Sequence, residues 1–310
     1  MFTASPFPNR LKRRHSALRK PIAPAPDFVS PDTPTLALCL ADTIQRRCEA
    51  WRLVYESYLA VGYAKENRDG LWYGLHDALP AIRTLLMKSE RRPVATLTLI
   101  PDTVVGLPAD SIYEDKLSPL RAQGHRLCEV ASLARDMSAA TEGHTGMRAI
   151  FRAAYSLALH LDHFTDFVIT VNPRHVGYYR RYFRFEVWGE ERSYGKVGAP
   201  AVLLKLDLTR AQELFETRTS MASEATTPFM FAPDRINPML AYFAAHFRPL
   251  KTRDVRKFFV ENRSFFKDLT AEKKAFFANA YPQLGAEAFA IPAAPAIAAT
   301  LPITLGSGGS

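Results

Sequence analysis

Residues 167–189 read FVITVNPRHVGYYRRYFRFEVWG. The run Phe167–Val171 predicts a strand. Asn172-Pro173 ends it, because proline fixes its own φ and holds the residue before it extended. An Arg/Tyr-rich turn or two of helix follows, and FRFEVWG (183–189) predicts a further strand. Working upstream, RLCEVASLARD (126–136) predicts a strand in which Leu127, Glu129, Ala131 and Leu133 share one face by period two. TEGHTGMRAIFRAAYSLALHLDHF (141–164) turns helical, with Met147, Ile150, Phe151, Ala154, Ala158 and Leu161 on one stripe. The chain therefore crosses twice in succession from strand to helix. When two neighbouring parallel strands are followed by helices that start at one sheet end, a cleft opens at the strand C-termini, where ligands bind. Asn172 falls at its mouth, and Tyr178 and Tyr179 would offer phenol groups to it.

Further out, Ile44, Cys48, Trp51, Val54, Tyr55, Tyr58 and Leu59 recur at helical spacing, with Gly62 as the stop. AIRTLLMKS (81–89) and RPVATLTLIPD (92–102) predict a hairpin, 101–124 an irregular segment, and APAVLLKLDL (199–208) a last strand. The order predicts an α/β fold with a mixed central sheet flanked by helices. Residues 1–35 predict a disordered basic N-terminal arm, 36–209 the α/β domain, 210–284 a Phe-rich helical appendage and 285–310 a flexible tail.

The 310 residues are 47% hydrophobic and 23% charged, enough for a real core. Forty Lys and Arg against 31 Asp and Glu give a formal charge of +9, which asks for an acidic partner or surface. No nucleic acid is expected, since no recognition helix or stacking motif accompanies the basic arm. Cys39, Cys48 and Cys128 lack metal-ligand spacing and fit reduced thiols in a cytoplasmic protein. No metal and no permanently bound cofactor is expected.

Two features carry chemistry on their own residues. Gly143 and Gly146 follow a strand at a helix start, where free N–H groups and the positive end of the helix dipole suit a phosphate; Arg148 adds charge. Glu129 is a carboxylate among apolar neighbours. Burial of that kind raises a carboxylate's pKa and makes a candidate general base, the alternatives being an edge-strand residue or one paired with a nearby arginine such as Arg126 or Arg135.

RLCEVASLARD, the Gly-bearing helix start and VITVNPRHVGYYRRYFRFEVWG together resemble the GNAT (acyl-CoA N-acyltransferase) fold over about residues 40–209. Within that superfamily the chain looks most like bacterial N-acyl amino acid synthases, relatives of the acyl-homoserine-lactone synthases; the C-terminal helical appendage is also similar. The resemblance implies transfer of a fatty acyl group from a 4′-phosphopantetheine thioester, on acidic acyl carrier protein or on CoA, to the α-amino group of an amino acid. It implies that the pantetheine arm lies between strands 126–136 and 166–171, held by backbone groups of Ser132, Leu133 and Ala134 and by Asn172. Gly143, Thr145, Gly146 and Met147, with Arg148, would hold phosphate. Glu129 would be the base and Tyr179 the acid for the departing thiolate. Arg184 stands where the family often has Gly before Phe185, and TEGHTGMR only approximates the GNAT pyrophosphate signature. Two other functions share this resemblance: an acyl-homoserine-lactone synthase, and a non-catalytic GNAT-like binding module. The Phe-rich appendage would be core, the lining of an acyl tunnel, or a transient membrane contact where a lipophilic product leaves.

Overall fold

The computed structural model describes residues 28–30, 33–138, 140–195, 198–219 and 233–289. Two strands, β1 (Phe28–Ser30) and β2 (Thr33–Leu40), come first and pair with each other. They lie in or run out of the span expected as a disordered arm through residue 35. The Pro- and Ser-rich surroundings of TPTLALCL masked a strand whose Leu36, Leu38 and Leu40 are buried. Residues 1–27 lie outside the described residues. Helix α1 (Ile44–Ala60) starts where the Thr43 hydroxyl accepts the Arg46 N–H. The chain turns away at Gly62, whose φ of 78° suits glycine.

The predicted hairpin is β3 (Arg83–Ser89) and β4 (Arg92–Pro101). Glu90 and Arg91 turn it with φ of 47° and 73°, as a two-residue turn matched to strand twist requires. The segment read as irregular contains a helix, α2 (Asp110–Ala122), hidden from periodicity by Pro119 and by a non-helical Tyr113. Its two ends are tied by Arg121, which donates to Asp110 and Asp102.

Next come β5 (Leu127–Arg135), α3 (Ala140–Ser156), which runs on into a π-helical turn at Leu157–Leu161, and β6 (Asp166–Val171). The short helix α4 (Val176–Phe183) follows a 3-10 turn at Pro173–His175. The strand expected over 183–189 is only β7 (Glu186–Val187), because Phe183 still belongs to α4 and Arg184 caps it. The edge strand β8 (Arg192–Tyr194) and the long β9 (Ala199–Asp207) complete the sheet. The described strands form one mixed sheet in the order β1-β2-β3-β4-β5-β6-β9-β7, with β8 also on β9. Every pairing is antiparallel except β5 with β6.

Two cores cover its faces. On one, Phe151 and Ala154 of α3 meet Leu85, Leu97, Cys128, Phe167, Ile169 and Leu204. On the other, Trp51 of α1 and Leu117 of α2 meet Ile100, Leu127, Val168 and Leu203. The helices α5 (Leu208–Thr219), α6 (Pro233–His246), α7 (Thr252–Val255) and α8 (Ala271–Ala280) make the region after residue 210 helical, as expected. Much of it is not detached. Phe258, Phe259, Phe266 and Phe277 share the second core with Trp51 and Val168, and so does Phe289, inside the stretch expected as a tail. Residues 290–310 lie outside the described residues. Among the described residues no helix is long and apolar enough to cross a membrane.

Phe277 is fully buried and stacks on Phe266 at 4.6 Å between ring centroids. Phe277→Ala is expected to cost about 3–5 kcal/mol. It should lower the midpoint of a single cooperative urea transition, because one core is shared. A separate early transition for the C-terminal helices would show instead that they fold on their own.

Candidate active site

The cleft arises from where β5 and β6 stop pairing. Their parallel register runs Leu127↔Asp166, Cys128↔Phe167 and Glu129↔Val168, and ends there. β6 continues to Val171 along β9, while β5 continues to Arg135 along β4. Past Glu129 the two strands therefore lean on different neighbours and open a wedge. In β5 the register to β4 jumps from Thr98↔Ala131 to Thr96↔Ala134, a bulge with Ser132 at φ 51°. Ser132 and Leu133 have no registered partner, so the bulge turns backbone groups of this stretch out of the ladder.

The bulge corrects one expectation. Strict alternation put Leu133 on the face of Glu129, but the extra residue reverses the alternation. Leu133 packs against the first core, whereas Leu127 and Ala131 stay with the second.

Glu129 is 2% exposed. Its Oε2 accepts the Ala109 N–H at 2.8 Å, just ahead of α2. Two tyrosines from other elements lie within its field. Tyr58 of α1 is pushed up to about 12, chiefly by burial and then by the nearby Tyr63 and Glu129. Tyr194 of β8 is pushed well up by burial, then by Glu129 and Tyr58, against a lowering hydrogen bond with Ser111. Tyr179 of α4 is also pushed well up, by burial first and then by Tyr178 and Tyr58. Tyr58 is thus the common neighbour of Glu129, Tyr179 and Tyr194. All three phenols keep their protons at neutral pH and can donate hydrogen bonds. An ordinary thiol titrates near 8.5. A phenol as weakly acidic as Tyr179 therefore suits hydrogen bonding to a thiolate better than full proton transfer.

The remaining expected site residues fall as follows. Asn172 ends β6, and its Oδ1 accepts the Arg174 N–H at 3.2 Å. What it can offer the cleft is its amide N–H groups. Tyr178 is 38% exposed and lies against Tyr182, so of the paired tyrosines it is Tyr179 that faces inward, packed on Phe151 and Phe183. Helix α3 begins at Ala140, so Gly143 lies in its first turn and Gly146 in its second, rather than ahead of the helix. The free N–H groups of a helix are its first four, here Ala140–Gly143. The Met147 side chain is buried in the first core. The side chains of Thr145 and Arg148 lie outside the described residues. Sequence reasoning missed Tyr58 and Tyr194 as site residues. Tyr58 sat in an apolar helical stripe and read as core, and Tyr194 belonged to no predicted element.

The family model of the N-acyl amino acid synthase FeeM matches residues 49–207. The chain belongs to the FeeM family. Among solved structures, FeeM from uncultured soil microbes is 27% identical, with a TM-score of 0.51 over 58% of this chain and 96% of that one. The AHL synthase LasI is 16% identical, with a TM-score of 0.44 over 56% of this chain and 90% of its own. The CoA-dependent acyl-homoserine lactone synthase BjaI is 13% identical, with a TM-score of 0.42 over 65% and 96%. No curated protein sequence matches. This FeeM-family chain is an acyltransferase with the GNAT fold, its mixed sheet opened between β5 and β6.

The raised phenols make a pH prediction. A tyrosine whose folded pKa exceeds its unfolded value stabilises the fold below the unfolded value, about 10. That stability is lost as pH rises through the folded value. For Tyr58 the window runs from there to about 12. Urea unfolding at a series of pH values across it should show stability falling, and Tyr58→Phe should flatten the fall. An unchanged slope in that variant would mean Tyr58 is not among the groups responsible.

Proposed function

We infer that the chain transfers a long-chain fatty acyl group from a 4′-phosphopantetheine thioester to the α-amino group of an amino acid. The observation that carries this reading is the buried carboxylate of Glu129 at the apex of the β5–β6 wedge, ringed by protonated tyrosines. The two strands are unpaired only past Glu129, so a thin arm entering from the strand C-termini would bring its thioester beside that carboxylate. Backbone groups around Ser132, Leu133 and Ala134 would hold the arm's amides, with Asn172 opposite. The first turn of α3 would hold its phosphate.

The amino-acid ammonium must lose a proton before its nitrogen can attack the thioester carbonyl. Glu129 takes that proton, directly or through a water. A backbone N–H near Leu133 would stabilise the tetrahedral oxyanion, an effect worth about 3 kcal/mol per donor. Collapse breaks the C–S bond as the attacking nitrogen gives up its second proton, leaving an amide. The thiolate, hydrogen-bonded by Tyr179, takes up that second proton through solvent and leaves as a thiol. No covalent enzyme intermediate is needed. Acyl carrier protein is the donor most in keeping with the net charge of +9.

Mass spectrometry of cells producing the chain is expected to reveal long-chain N-acyl amino acids. Glu129→Gln keeps an oxygen for the Ala109 N–H, so the fold should hold while the acylation rate falls about 10²–10⁴-fold. Equal product from the variant would keep the synthase but remove Glu129 as base. Product from neither, with purified enzyme and supplied substrates also inactive, would favour a binding module.

A further inference from the structure

A positive charge stands at the mouth of the wedge. Arg174 lies in the 3-10 turn Pro173–His175 that follows β6, and Asn172 fixes its backbone by accepting its N–H at 3.2 Å. The guanidinium carbon sits over the Tyr63 ring, 5.8 Å from its centroid. Tyr63 belongs to the other lip of the wedge. It follows α1, whose Leu53 and Val54 pack on Ala134 of β5 with Tyr58 against them, and whose Ser57 hydroxyl donates to the Arg135 carbonyl at 3.2 Å. A turn rooted on the β6 side therefore holds its cation over a ring rooted on the β5 side.

The Nε of Arg174 donates to His175 Nε2 at 3.1 Å. Burial, and then Arg174 itself, holds His175 below its usual pKa, so this contact supplies no negative charge. Among the described residues no carboxylate pairs with Arg174, whereas Arg83, Arg121, Arg192 and Arg263 each grip one at 2.5 to 2.7 Å. The Tyr63 hydroxyl adds a second observation: it is buried, and it too has no hydrogen-bond partner among the described residues. Buried polar groups in folded proteins are normally hydrogen-bonded. The acceptor that suits a guanidinium fork and a phenol O–H together has two oxygens and a negative charge, as a carboxylate has.

We propose that Arg174, with the Tyr63 hydroxyl, holds the α-carboxylate of the amino-acid acceptor. This deepens the function inferred above and rests on it. The placement matches the two charges of a zwitterion. The Tyr63 ring is 6.0 Å from that of Tyr58, and Tyr58 lies in the field of Glu129. An amino acid laid along these two rings turns its ammonium toward Glu129, with a water completing the path, and its carboxylate toward Arg174. An amino acid amide keeps the same nucleophile and loses the anchor. Arg174 thus selects amino acids over neutral amines of the same shape. The donor's phosphate carries a like charge, so the test must tell the two anions apart.

The test uses the full chain, palmitoyl-CoA and palmitoyl-loaded acyl carrier protein as donors, and a panel of the common amino acids, each beside its carboxamide. Arg174→Gln is expected to raise KM for the preferred amino acid about 10- to 100-fold, with kcat little changed. KM for the matching carboxamide and for the donor should stay as they were. Arg174→Lys should recover part of the loss, since it returns the charge without the fork. Tyr63→Phe should raise the same KM by a smaller factor. A merely structural arginine would move both acceptors alike, so an equal rise for amino acid and carboxamide overturns the proposal, as does no rise at all. A rise in KM for the donor alone assigns Arg174 to the donor's phosphate and overturns it too. Melting temperatures with each amino acid or carboxamide present read binding without turnover. If no acyl transfer is found, stabilisation by an amino acid that is lost in Arg174→Gln keeps the carboxylate site while the inferred function fails. Equal shifts with amino acid and carboxamide then overturn the site as well.

Discussion

The site depends on the point at which a parallel ladder is abandoned. Beyond Glu129↔Val168, β5 stays with β4 and β6 stays with β9, and no backbone bonds join them. A sheet broken in its middle exposes donors and acceptors that must find other partners, since buried unpaired backbone groups are costly. The bulge at Ser132 eases the parting by adding a residue to β5 and increasing its local bend. The wedge is therefore a gap in hydrogen bonding before it is a cavity.

The same parting places a carboxylate where few proteins keep one. A buried ionised group is expensive unless hydrogen-bonded. Glu129 accepts the Ala109 N–H at the entry to α2. That bond ties the side chain to the start of α2. The Tyr58 and Tyr194 phenols in its field remain protonated and so add no negative charge beside it.

Much of this layout can be read from residue pattern. The strands around 126–136, 166–171 and 199–208, the hairpin, and the helices at 44–60 and 140–161 follow from periodicity, and Glu129 stood out as the charged residue in an apolar run. What was illegible has physical causes. β2 lies in a Pro-rich context, and α2 contains Pro119, so local punctuation outweighed tertiary packing. The bulge at Ser132 is a property of pairing between β4 and β5 and leaves no mark on period two until the partner is known. The convergence of Tyr58, Tyr179 and Tyr194 joins three elements distant in sequence, which no local pattern can encode.

Tyr58 also ties the C-terminal helices to the site. It lies seven residues after Trp51, two helical turns, and so on the same side of α1. The roll of that helix is set by Trp51, whose indole donates to Asp77 at 2.9 Å, stacks on Tyr73 at 4.6 Å and meets Phe258 and Phe259 edge-on or tilted. Tyr73 is held in turn by Arg263, which grips Asp69 at 2.7 and 3.0 Å, and Tyr281 donates to the Ala78 carbonyl at 2.8 Å. The C-terminal segment thus braces both α1 and the connection from α1 to β3. A helix free to roll by one residue, about 100°, would carry Tyr58 away from Glu129. The Phe-rich helices are therefore structural support for the site, whatever further role they have toward an acyl chain.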